Sequence, residues 1–419
     1  MPSSSKLLMN LLSFLVLTFA LLMAVEKVHN YDIWWHLKTG QWILENGKIP
    51  HADPFTFTTP DAPWTPHSWL SDVVFATVFR ISGLDGLIIF KALIVGTAFF
   101  IIFRLMIRQG VNLLLAVTII MPAVFISQFR FLLRPHVFMF LLSAAFFWIL
   151  SVGDNQQDLK LLWLLPLMLL WVNLHGSFFF GLVLVGCFLA EKMIVSTYER
   201  IRKIDDATKW PFFLALLMVL LFGCILLNPF GLDLLRWVVT VLTRINVTRI
   251  IEVEEHAALS WGDHNLFWCL MFATALSFPL AFRKARLFHL LLFAATSFLA
   301  IQGVRFVTLA ALLQAPILGY HLQVVLNKVS LKKYRPTRRF QAAVAIPLTI
   351  FGGALLFQHS FAENKVNRFG LGVSDSRFPG AAVDFLRQLN AAGNIYNSFA
   401  IGGYLLWELP ERKIFLDGR

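Results

Sequence analysis

Cysteine is almost absent from this chain of 419 residues: there are three, Cys187, Cys224 and Cys269, each inside an apolar run. That excludes a disulfide scaffold and a cysteine-ligated metal cluster. Charge is scarce too, at 14% of residues against 58% hydrophobic, and a soluble domain has too little interior to hide so much apolar surface. Outside the apolar runs there is no Ser-His-Asp spacing, zinc-ligand run, phosphate-binding loop or dinucleotide fingerprint, so hydrolase, nucleotidase and dehydrogenase readings lack a basis. No repeat at a solenoid period occurs.

What is present is a series of long apolar runs. Crossing about 30 Å of hydrocarbon takes about 20 apolar residues, and eleven runs qualify: 7–25, 86–107, 111–127, 136–152, 159–172, 178–195, 211–228, 265–282, 287–302, 306–326 and 340–358. The fifth is short and contains Pro166, which predicts a tilted or kinked segment. The first has no small-residue cleavage site after it and predicts an uncleaved anchor. The sequence thus predicts an all-α polytopic membrane protein.

The 36 Lys and Arg against 24 Asp and Glu leave a net charge of +12, and membrane topology, rather than nucleic acid, accounts for most of it. With the N-terminus inside, half of the basic residues fall in short cytoplasmic loops, including Arg104, Arg108, Arg200, Arg202, Arg283, Lys284 and Arg286. Short basic loops set orientation. Three longer segments then lie outside: a first loop over 26–85, a second over 229–264, and a tail over 359–419 that is predicted outside with the C-terminus. Loops of that length carry function.

In the first loop, Asp32 to Gly47 predicts an amphipathic helix stopped by a left-handed glycine. Trp34, Trp35, Trp42 and Ile43 are side chains suited to a membrane interface. Asp32 and His36, four apart, share a helix face; Asp32 as a cap that attracts His36 is the plainer alternative. His51, Asp53 and His67 follow, Pro54 makes the stretch around them extended, and a second helix is expected from about Trp64 to Ile81, with Asp72 on it. Acidic residues at 252–255 in the second loop are a further candidate base or metal cluster, or a solvated face. The tail predicts a small, incomplete α/β unit: a helix over 380–390, strand-like segments over 394–399 and 413–416, and a turn at Gly402-Gly403.

Polar residues also stand at span junctions. Arg130 and Arg134 lie between the third and fourth spans, and Arg305 between the ninth and tenth. A guanidinium at membrane depth suits a lipid phosphate, since its planar fork makes paired charge-assisted bonds; headgroup contact is the alternative. Asn173 and His175 lie between the fifth and sixth spans, where an unpartnered polar group is expensive.

An N-terminal span followed by a long loop of two helices, with an acidic residue just past the span, resembles the GT-C superfamily of membrane glycosyltransferases, which includes protein O-mannosyltransferases and lipid A aminoarabinose transferases. More narrowly, Asp32-Ile-Trp-Trp-His-Leu-Lys-Thr-Gly40, Ile49-Pro-His-Ala-Asp-Pro-Phe55, Trp64, His67-Ser-Trp-Leu70, Arg134-Pro135, Asn173-Leu-His-Gly176, Gly402-Gly-Tyr404 and Leu416-Asp-Gly-Arg419 resemble a group of bacterial multi-spanning glycosyltransferase-like proteins. The resemblance implies a polyprenyl-phosphate sugar donor, a bacterial inner membrane, and Asp32 as the catalytic carboxylate and general base. Arg134, Arg305 and Arg130 would hold the donor phosphate. His36, Asp53, His67, His175 and Asn173 become candidates for acceptor binding or for a divalent metal ion. GT-C members often carry paired acidic residues where this sequence has Asp32 alone. A transporter without chemistry, which needs charges inside several spans of which Lys91 is one, and a degenerate transferase acting as an envelope scaffold are the competing expectations.

Overall fold

The computed structural model describes residues 3–153, 159–202, 210–243, 258–262, 264–328, 352–354, 369–374, 376–389 and 393–419. Their architecture is helical: isolated β-bridges occur, but no strand does among the described residues. Ten of the eleven apolar runs coincide with helices. α1 is Ser3–Met23, α4 Leu113–Ser127, α5 Val137–Val152, α6 Leu164–Leu174, α7 Phe179–Ile201, α8 Trp210–Leu226, α10 Asn265–Leu280, α11 Leu287–Gln302 and α12 Val307–Lys328; the second run is the later part of α3, Trp69–Arg108. The eleventh run, apart from 352–354, lies outside the described residues. Among the described residues, five helical segments are long and apolar enough to cross a membrane, and five more are shorter and apolar. Large apolar side chains such as Phe14, Leu93, Phe212, Val219, Leu276 and Phe298 face outward, the surface a bilayer covers and water does not.

The short fifth run keeps its backbone bonded by starting as a 3-10 turn, Leu159–Trp163, before α6. Pro166 then falls in the first turn of α6, where a missing N–H costs little. α12 is the most enclosed span and packs against α4, α10 and α11, while α3 packs against α1, α5 and the first-loop helix 32–46. Lys91, on α3, is buried opposite the equally buried Glu26, just past α1, and their charges interact. Its partner is therefore internal, and it lines no described cavity.

Two loop helices precede the second span. α2, Asp32–Asn46, ends at Gly47 in the left-handed region (φ 63°), as the sequence predicts. The second loop helix begins at Trp69 rather than Trp64 and runs on as α3, broken only at Gly83, whose φ of 66° no ordinary side chain favours. Residues 69–82 thus form the loop helix and 84–108 the span. The cap of α2 is Asn30, whose Oδ1 accepts from the Ile33 N–H at 3.2 Å; Asp32 sits in the first turn. Trp34, Trp35 and Ile43 are buried within the protein, which corrects their interfacial reading; the tail packs against Trp34 and Trp35.

That tail also departs from expectation. α13, Gly380–Leu389, matches, but 402–408 is a helix, α14 (Gly402–Glu408), and the strand-like segments reduce to single bridges, Ile395 to Ile414 and Thr56 to Ile414. Side chains decide this: Tyr404 and Phe378 pack edge-on to Trp34 at ring separations of 5.3 and 5.4 Å, a contact that a helix one face deep satisfies and an isolated strand does not.

Candidate functional site

The connections at one end of the helices converge on a cavity of about 300 Å³. α2 contributes Asp32, Trp35 and His36, and the loop before α3 contributes His67. The α4–α5 connection supplies Arg130, Arg134 and His136, the α6–α7 connection His175 and Ser177, and the α11–α12 connection Arg305. α9, Leu232–Thr243, a helix the sequence reading did not anticipate, brings Trp237, and the tail brings Gly418. Residues as far apart in the chain as Asp32, Arg305 and Gly418 therefore share one wall.

Local sequence explains how they are held. The α4–α5 connection is tied by His136, whose Nε2 donates to the Arg130 carbonyl at 2.8 Å; a carbonyl only accepts, which fixes the proton on that nitrogen. In the α6–α7 connection, His175 Nδ1 accepts from the Ser177 N–H at 3.2 Å and meets Ser177 Oγ at 2.8 Å, while Trp171 donates to that same oxygen at 3.1 Å. Neutral His175 thus carries its proton on Nε2. A side chain at Gly176 would strike the Trp237 ring at 2.6 Å, so glycine lets that ring reach His67, on which it stacks at 3.8 Å.

The electrostatics are cationic. Arg134 Nη2 meets Asp32 Oδ2 at 3.0 Å with both side chains partly exposed. Arg130 is buried, and the Arg305 guanidinium lies over Phe306 at 4.7 Å. Three guanidinium charges face one carboxylate on the cavity wall among the described residues, leaving +2 with the histidines neutral. The histidines are neutral for a physical reason. Burial, then the neighbouring His36, hold His67 down to about 3, and burial, then His67, press His175 well below the ordinary imidazole range.

His36 turns away from Asp32. Its Nδ1 pairs with Asp72 Oδ1 at 2.6 Å, with both groups buried. Gly40 makes this possible, because a Cβ there would lie 2.0 Å from the Asp72 carbonyl oxygen; the bare backbone lets α2 and α3 cross closely enough for the side chains one turn away to meet.

Other candidates lie elsewhere. Asp53 is bound to Arg419 Nη1 at 2.8 Å and accepts from Phe55 N–H and Thr56 Oγ1 at 2.9 and 2.5 Å. Burial opposes its charge, but Arg419 and these donors outweigh it and hold the carboxyl below its ordinary value. Asn173 accepts from Trp69 Nε1 at 3.0 Å and Asn228 Nδ2 at 3.1 Å, joining three connections without lining the cavity. The acidic residues at 252–255 lie outside the described residues. Trp35, Asp72, His136, Trp237 and Gly418 were given no site role from sequence. In the tail, Arg419 Nε bonds Asp417 at 2.7 Å, and Gly418 comes so near Asp32 that a Cβ would lie 3.1 Å from its Oδ1.

The donor set does not fit a divalent cation. Among the described residues no three His, Cys, Asp or Glu side chains are grouped as ligands. Asp32 is turned to Arg134, His36 Nδ1 to Asp72, and the three guanidinium groups repel a second cation. An anion, by contrast, meets charge and directional donors.

The fold is similar to that of solved archaeal oligosaccharyltransferases. The archaeal oligosaccharyltransferase AglB from Archaeoglobus fulgidus, solved in complex with an inhibitory peptide and a dolichol-phosphate, superposes with a TM-score of 0.61 at 11% identity. The apo form of the Archaeoglobus fulgidus oligosaccharyltransferase gives 0.55 at 12%. Each comparison covers 97% of this chain and 64% of the other, so the chain spans less than two thirds of their length. No protein-family model and no curated protein matches the sequence.

Proposed function

We propose that this chain is a membrane glycosyltransferase that takes a sugar from a polyprenyl-phosphate-linked donor. The observation that carries the reading is the convergence of Arg130, Arg134 and Arg305, from two separate connections, on one cavity with Asp32 on its wall. The fold neighbour solved with a dolichol-phosphate supports it. Breaking a glycosyl–phosphate bond adds negative charge to the phosphate, and preorganised guanidinium groups stabilise that growing charge more than the ground state. Asp32 is the catalytic carboxylate of this reading: it orients Arg134 through the 3.0 Å contact, and its other oxygen lies beside Gly418.

The accompanying topology puts the N-terminus in the cytoplasm and the cavity on the periplasmic face of a bacterial inner membrane. Supporting it, Arg104, Arg108, Arg200, Arg202, Arg283 and Lys284 all lie at the helix ends or connections opposite the cavity. The test is release of polyprenyl phosphate from undecaprenyl-phosphate glucose, galactose and mannose by purified protein in lipid nanodiscs. Turnover of at least one donor, cut by about 10²–10³-fold in Arg134→Ala, is expected; no turnover of any, with none bound, would overturn the reading.

A further inference from the structure

A buried carboxyl–imidazole pair borders the cavity, and neither donor binding nor the Asp32–Arg134 contact uses it. His36 is fixed on every side. Trp35 packs on its ring at 3.5 Å, Phe75 meets it edge-on at 6.4 Å, and Nδ1 is taken by Asp72 at 2.6 Å. The only ring nitrogen left for the cavity that His36 lines is Nε2. Asp72 is fully buried, receives Ser68 Oγ at 3.3 Å on the same oxygen that meets His36, and its Oδ2 has no hydrogen-bond partner among the described residues. A buried carboxylate with an unsatisfied oxygen is costly, and structure alone gives no return for it: an apolar pair would pack the same helix crossing.

A nucleophile's base oriented by a third group is the arrangement that proton abstraction requires. Resting on the transferase reading above, we propose that His36 Nε2 takes the proton of the acceptor hydroxyl and that Asp72 is the residue that positions and charges it. Asp32, engaged with Arg134, then serves orientation. In the step, the acceptor O–H proton passes to His36 Nε2 while the acceptor oxygen bonds to the anomeric carbon. The bond from that carbon to the phosphate oxygen breaks, its electron pair leaving on the phosphate, which departs with one more negative charge facing Arg130, Arg134 and Arg305. The imidazolium keeps its Nδ1–H on Asp72 and later returns the Nε2 proton to water.

The titration of the pair sets the pH dependence of this step. Burial lifts the Asp72 carboxyl well above its ordinary value and presses His36 down to about 3, so the two hold one proton between them and not two. The charged and titratable groups facing the pair are Asp32 from α2, Arg134 from the α4–α5 connection, His67 before α3 and His175 before α7. Asp32 strengthens the pair's hold on its proton, and Arg134 weakens it. The working form has lost that proton, so the rate rises with pH as the pair gives it up.

The test measures release of polyprenyl phosphate from the same three donors to water, as a function of pH, alongside binding of undecaprenyl phosphate. His36→Gln is expected to bind as wild type yet release about 100-fold more slowly or worse, without the rising limb. Asp72→Asn should also bind, lose about 100-fold, and displace that limb, whereas a merely structural Asp72 would scale the profile down and leave its limb in place. Wild-type release and pH profile in His36→Gln, or an unmoved limb in Asp72→Asn, would overturn the pair while Arg134→Ala still reports on the transferase reading. If wild type neither binds nor cleaves any donor, both fall together.

Discussion

Two arginine–carboxylate pairs sit at opposite ends of the helices and are built to different ends. At the end away from the cavity, Glu191 on α7 is saturated: Arg286 Nη2 and Nε reach it at 2.5 and 3.3 Å, and the Phe288 N–H donates at 3.1 Å. One carboxylate there closes the N-terminus of α11 and locks α7 to it. At the cavity, Arg134 Nη2 meets Asp32 Oδ2 at 3.0 Å, and both side chains are partly exposed on the cavity wall. A pair enclosed between helices holds them together; a partly exposed pair on a cavity wall lies within reach of a ligand.

The largest effect is expected where the cavity's frame is broken. Gly40→Val would drive a side chain into the Asp72 carbonyl, only 2.0 Å from the Cβ position, and should prevent α2 from docking. Its expected signature is loss of monodisperse protein in size-exclusion chromatography. Next come the two arginines, which should separate cleanly. Arg134→Ala is expected to cut donor cleavage by about 10²–10³-fold with the thermal midpoint nearly unchanged. Arg286→Ala should do the reverse, leaving cleavage intact but costing about 3 kcal/mol by stranding buried Glu191, read in denaturant melts. Equal effects of both on either readout would erase the contrast.

Acid should act on the cavity end. His67 stays neutral in the fold until about pH 3, while an unfolded imidazole protonates near 6.5. The unfolded state therefore binds the extra proton in between, and stability falls as pH drops from about 6.5 toward 3. Thermal midpoints measured across that range should decline in wild type and decline less in His67→Phe, which keeps a ring for Trp237 to stack on. The smallest effect belongs to Gly418→Ala. Its methyl would lie 3.1 Å from Asp32 Oδ1 and shift that carboxylate by tenths of an ångström, slowing cleavage by about threefold to tenfold with unchanged lipid binding.

The sequence made the spans legible because a bilayer demands long apolar runs, and ten of them coincide with described helices. Arg130, Arg134 and Arg305 stood out individually, since a cation between apolar runs has few structural uses. Their convergence was not legible: it depends on which connections share a face and how the spans pack. His36 and Asp72 illustrate the same limit. Their pairing is set by the bare backbone of Gly40 at a helix crossing, and a glycine inside a helical pattern signals no particular partner. The tail was legible only in part: Gly402-Gly403 reads as a turn, yet it opens a helix that carries Tyr404 and Trp407 onto Trp34 and Phe79. Trp34 and Trp35 misled: aromatic residues near a membrane suit an interface and a tail-covered core equally well.

The central claim is that the arginine-lined cavity binds a lipid phosphate, and native mass spectrometry tests it most directly. Detergent-purified wild type, Arg134→Ala and Arg305→Ala would each be mixed with undecaprenyl phosphate and with unphosphorylated undecaprenol. Binding of the phosphate in preference to the alcohol, lost in both variants, is the predicted result. Equal retention of the two lipids by wild type, or undiminished phosphate binding in the arginine variants, would contradict the account.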